Sequence, residues 1–77
     1  MNDAQRKEIR RAEVLIAEAK GILEVAATQK QDDFDKMPQD RQNDDAGERA
    51  EEAVDALERA ALCCDDAISA CEEAIQS

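Results

Sequence analysis

The chain has no histidine, tryptophan or tyrosine, a single phenylalanine (Phe34), a single proline (Pro38), two glycines and three cysteines in 77 residues. Without histidine the common mixed zinc sites are excluded, and three cysteines, two of them adjacent as Cys63 and Cys64, do not make a secreted disulfide framework. The cysteine usage and the absence of an apolar signal-peptide stretch lead us to expect a cytoplasmic protein. The longest apolar runs, Val14 to Ala17 and Ala60 to Cys64, fall far below the ~20 residues of a membrane span. Basic residues are also scarce. Ten of them face twenty acidic ones, for a net charge of −10, so direct binding to nucleic-acid phosphates or anionic membranes is not expected.

What remains is small and aliphatic. A 77-residue domain buries only roughly 60% of the surface its unfolded chain exposes, and many of the apolar residues here are alanines. With no metal site or disulfide framework to supplement the core, oligomerisation is the device left.

The aliphatic residues are spaced for helices. Ile9, Ile16 and Leu23 recur every seven residues, Ala12, Ala19 and Ala26 follow each by three, and Leu15 and Ile22 widen the stripe. Asn2 with Gln5 three residues on reads as an N-terminal capping box, and the pattern fails at Gln29 and Lys30, which predicts a helix over about residues 3 to 33. In the second half Ala50, Val54, Leu57, Ala61, Cys64, Ile68, Cys71 and Ile75 alternate in steps of four and three, flanked by Ala53, Ala60, Ala67 and Ala74 at a seven-residue period. Asp45 followed by Glu48 reads as a second capping box, and the helix is expected over about 46 to 76.

Residues 34 to 45 form the predicted loop. Two periodic segments of equal length around one polar connector make an antiparallel hairpin. Charge agrees, because Arg6, Lys7, Arg10 and Arg11 start the first segment while Asp65, Asp66, Glu72 and Glu73 lie in a C-terminal stretch without basic residues. Phe34, Met37 and Pro38 are expected at the loop tip, Phe34 and Met37 plugging the end of the core. The fold class is therefore all-α: a coiled-coil-like two-helix hairpin, expected to dimerise into a four-helix bundle. Its core and dimer interface would use Ile9, Ile16, Leu23, Val54, Leu57, Ala61, Cys64, Ile68, Cys71 and Ile75.

Candidate chemistry is thin. Cys64 and Cys71 share a face but stand seven residues apart, about 10 Å along a helix, too far to share a metal ion, so they read as small core residues. Cys63 points away from that face and has no neighbour in sequence that would activate its thiol. Asp40 to Glu51 has the span and terminal glutamate of a calcium loop, but Asp45 stands where such a loop needs glycine, and Glu51 falls inside the predicted helix. The pairs Asp32-Asp33, Asp65-Asp66 and Glu72-Glu73 diverge by ~100° on a helix and read as a solvated face rather than acid/base couples. No catalytic residue, metal or cofactor is expected.

Residues 46 to 77 hold nine acidic and two basic side chains. Glu51, Glu52, Asp55, Glu58, Asp65, Asp66, Glu72 and Glu73 make up most of this acidic surface, which serves solubility or else imitates a nucleic-acid backbone. The run Phe34-Asp35-Lys36-Met37-Pro38, followed by Gly47-Glu48-Arg49-Ala50-Glu51-Glu52-Ala53, resembles a pattern in small uncharacterised phage and prophage proteins, over about the central third of the chain. The resemblance implies a phage accessory protein and carries no activity with it. Two functions are thus expected as alternatives: a self-associating interaction module with an unidentified protein partner, or a phage-type inhibitor that blocks a nucleic-acid-binding host protein through its acidic face.

Overall fold

The computed structural model describes all 77 residues, Met1 to Ser77. Two long helices, α1 (Asp3–Asp35) and α3 (Asp45–Gln76), pack side by side as a hairpin, joined through the single-turn helix α2 (Gln39–Gln42). No residue is in a strand and none has a positive φ. The hairpin is 58 Å long, and its radius of gyration of 17.4 Å far exceeds the ~11.5 Å of a compact domain of this length. There is accordingly no globular core, only a seam.

α1 begins as its sequence predicts. The Asn2 side chain accepts from the Gln5 N–H at 2.8 Å, and the Asn2 N–H donates to Gln5 Oε1 at 3.0 Å, satisfying two groups that a helix start leaves open. The helix runs two residues past the predicted end at 33, because no breaker precedes Pro38. Phe34 therefore sits in its last turn rather than in a loop.

The predicted loop 34 to 45 is more ordered than expected. The Pro38 carbonyl accepts from the N–H groups of Arg41 and Gln42, which folds Gln39–Gln42 into a helical turn. Gln42 then donates its side-chain amide to the Phe34 carbonyl at 3.0 Å, an acceptor it shares with the Met37 N–H, and so ties the connector to α1. The start of α3 is capped one residue earlier than Asp45. Asp44 is the cap, its carboxylate accepting from Ala46 N–H at 2.9 Å and Gly47 N–H at 3.5 Å, and Glu48 is left outside the motif.

Only five residues are fully buried: Ala27, Gly47, Ala50, Val54 and Ala61. Four of them lie in the half of the hairpin nearest the connector, Ala61 stands at its middle, and none is larger than valine. Gly47 is there for proximity, since a Cβ built on it would collide with the Gln42 backbone. Small residues let the chain turn back on itself closely at this end.

Candidate interaction surface

The expected seam residues do line one face of each helix. Val54 and Ala61 are buried, and Ile9, Ile16, Leu23, Leu57, Cys64, Ile68, Cys71 and Ile75 are half-buried. Two helices cannot do better, because each covers only the side of its partner that it touches, and a wider stripe stays open at its edges.

Heights along the hairpin follow from two contacts. Arg6 Nε donates to the Ile75 carbonyl at 3.4 Å, and Lys20 Nζ donates to Asp65 Oδ1 at 2.7 Å. The seam has two sides. At ~100° per residue, Lys20 and Asp65 both project to one side, here called the polar side, which carries an open groove of about 520 Å³. Glu24, Thr28, Gln31, Asp32 and Glu58 also line it, with Leu62 as its one large apolar residue. The Lys20 ammonium is held above its ordinary pKa of 10.5, chiefly by the hydrogen bond it donates to Asp65. Glu13, two turns before Lys20, has one carboxylate oxygen shielded from solvent without a hydrogen-bond partner.

The opposite side is apolar. Leu15 and Ile22, expected to widen the core stripe, project there instead and are 55% and 70% exposed, and Ala19 between them is exposed too. They are the apolar margin of a stripe wider than one partner helix can cover. From α3 the half-buried Ala53, Ala60, Ala67 and Ala74 project to the same side. Val14 and Val25 stand farther round α1, also exposed.

Of the acidic residues singled out on α3, Glu51, Glu52, Asp55, Glu58, Asp66, Glu72 and Glu73 are exposed and unpaired. Asp65 departs from the expectation: it is half-buried and engaged with Lys20. The basic start of α1 and the acidic end of α3 lie at the same end of the hairpin, yet form no ion pair with each other. Arg6 pairs within its own helix, with Asp3 at 3.3 Å. At the other end Phe34 and Met37 are half-buried and Pro38 is exposed, so the first two cover the seam in part and Pro38 does not. Cys63 is exposed, Cys64 and Cys71 are half-buried, and all three are free thiols. No group of three potential ligands is placed to hold a metal ion, and no helix is long and apolar enough to cross a membrane.

Compared with known proteins, the chain matches no family model, no curated protein and no solved structure.

Proposed function

We propose that the hairpin is a non-catalytic protein-interaction module that works as a homodimer, two hairpins closing into a four-helix bundle. One observation carries this reading. The chain exposes 5672 Å², whereas a compact monomer of 8.5 kDa exposes about 4,650 Å². The surplus, roughly 1,000 Å², is close to the ~800 Å² that each partner contributes to a standard protein interface. Leu15 and Ile22, neighbours across two helical turns, form part of that surplus, and an apolar row rimmed by charge is what a partner covers.

Substituting Ile22→Asp tests the reading without disturbing the hairpin, because Ile22 makes little contact within its own chain. Light scattering should give the native protein twice the mass of its 8.5 kDa chain and the variant a single chain mass with helical content intact. A native protein that is folded and monomeric at micromolar concentration would overturn it.

A second reading is favoured by the seven unpaired carboxylates of α3: the module's acidic flank occupies a basic, nucleic-acid-binding groove on a host protein. The resemblance of the Phe34 to Pro38 and Gly47 to Ala53 runs to a pattern in small phage and prophage proteins makes the bacterial cytoplasm the setting we propose for either role. Capture from bacterial lysate separates the two. A nucleic-acid-binding protein that DNA displaces from the bait supports the inhibitor, and recovery of the protein alone supports the self-associating module.

A further inference from the structure

The surface most in need of a partner is the apolar side, and a second copy of this chain fits it in one particular way. We infer that two hairpins meet through their apolar sides with α1 of each lying along α3 of the other, about a two-fold axis parallel to the helices. This rests on the self-association proposed above and specifies its geometry.

The backbone outlines a broad face of 58 by 15 Å, about 870 Å², which is the footprint per partner of a standard interface. A closed two-fold dimer with these faces together has its axis in the plane between them, either parallel to the helices or across them. An axis across them stacks α1 on α1 and α3 on α3. Charge argues against that stacking. α1 carries six basic and eight acidic residues, a balance of −2, whereas α3 carries two basic and ten acidic, a balance of −8. Pairing the two most acidic surfaces concentrates repulsion that pairing unlike helices halves. The parallel axis also lays the end of α1 that bears Arg6, Lys7, Arg10 and Arg11 level with Glu72 and Glu73 of the partner's α3. Within one chain those clusters form no ion pair with each other.

Register supplies an independent argument. Rotation about an axis parallel to the helices leaves every residue at its own height, so residues level across the seam are also level across the interface. Arg6 with Ile75, and Lys20 with Asp65, set level residues at numbers summing to 81 and 85. Leu15 and Ala67 fall in that window, as do Ile22 and Ala60, so the two large residues that α1 exposes on this side each meet an alanine on the facing helix. Five helical turns from Leu15 along its line lies Asp33, and five turns from Ala67 along its line lies Arg49. The register that seats leucine on alanine therefore also sets Asp33 against Arg49. Both are exposed and neither has an ion partner in its own chain.

Cysteine cross-linking tests the arrangement. In a chain carrying Cys63→Ser, Cys64→Ala and Cys71→Ala, single-cysteine variants Leu15→Cys, Ile22→Cys and Ala67→Cys are mixed pairwise and oxidised. Leu15→Cys with Ala67→Cys should give a disulfide-linked product of twice the chain mass as the main species, and neither variant alone should. Linkage of Leu15→Cys with Ile22→Cys instead would mean that α1 packs on α1, overturning the geometry while leaving self-association intact. A dimeric parent that links in neither mixture has the same consequence, and a monomeric parent removes both claims. Charge reversal reads the same register in the chain with its native cysteines. Asp33→Arg and Arg49→Asp should each raise the dimer dissociation constant several-fold and the double variant should restore it; failure to restore rejects the register.

Discussion

The two ends of the hairpin are built differently. At the connector end α1, α2 and α3 converge, every fully buried residue but the mid-hairpin Ala61 is found, and polar contacts reinforce the packing: Gln42 on the Phe34 carbonyl and Asp44 on the first turn of α3. At the free end the two helices lie together with Ile9, Ile68, Cys71 and Ile75 only half-covered, and one hydrogen bond, from Arg6 to the Ile75 carbonyl, crosses the seam. Closing a chain on itself needs small residues and capping groups, and these the connector end has. Holding two long helices together away from the turn needs apolar area, and a two-helix seam lacks it. The connector end is thus stable within one chain, while the free end depends on a neighbour.

That contrast is broken most forcefully with charge. Val54→Asp places an uncompensated carboxylate in the one well-buried stretch and should abolish cooperative folding, a cost on the order of 3 to 5 kcal/mol. Ile75→Asp, half-buried near the terminus, should only fray the last turns, visible as a small loss of helical circular dichroism. Equal damage from both would erase the distinction between the ends.

Truncation gives the next largest effect. Phe34→Ala removes the single aromatic residue from a half-buried site, so about half of the ~3 to 5 kcal/mol of a fully buried phenylalanine is expected, roughly 2 kcal/mol by urea unfolding. An unchanged midpoint would mean that Phe34 does not cover the connector end of the seam.

The two glycines sharpen the comparison through sign. Alanine is favoured over glycine by about 1 kcal/mol within a helix, and Gly21, with open space around it, should show that gain as Gly21→Ala. Gly47→Ala should instead destabilise, because its methyl group would displace the Gln42 backbone that closes the connector. Thermal melts of the two variants should move in opposite directions.

The smallest effect belongs to the polar side. Lys20→Ala removes a partly exposed ion pair and should lower the melting temperature slightly, less so in high salt. Its pH dependence has a definite sign. The folded-state pKa of Lys20 lies above the unfolded value of 10.5, so the contribution is complete below pH 10.5 and lost as pH rises through the folded value. The difference between native and variant melting temperatures should therefore shrink above pH 10.5.

Much of this architecture was legible in the amino-acid order. The four-three alternation from Ala50 to Ile75 is the seam face of α3, and Asn2 with Gln5 is the cap of α1. Periodicity reports which side of a helix is apolar, but not how many neighbours that side receives. Leu15 and Ile22 therefore read as part of the apolar stripe, and in the single hairpin they stand exposed. The connector is ambiguous in sequence for a local reason. Asp44 and Asp45 both suit a cap, and what selects Asp44 is the close approach of Gly47 to Gln42, a tertiary contact with no sequence signature. Asp65 was grouped with the solvated carboxylates because its partner Lys20 lies forty-five residues away, on a helix whose rotation only the packed seam fixes.

The central claim, that this hairpin completes its core with a second copy, is tested most directly by melting the native protein over a hundredfold range of concentration. Folding coupled to dimerisation obeys mass action, so the account predicts a melting temperature that climbs steadily with concentration. A melting temperature that stays fixed across the range would show that a second copy adds nothing to the stability of the fold and would contradict the account.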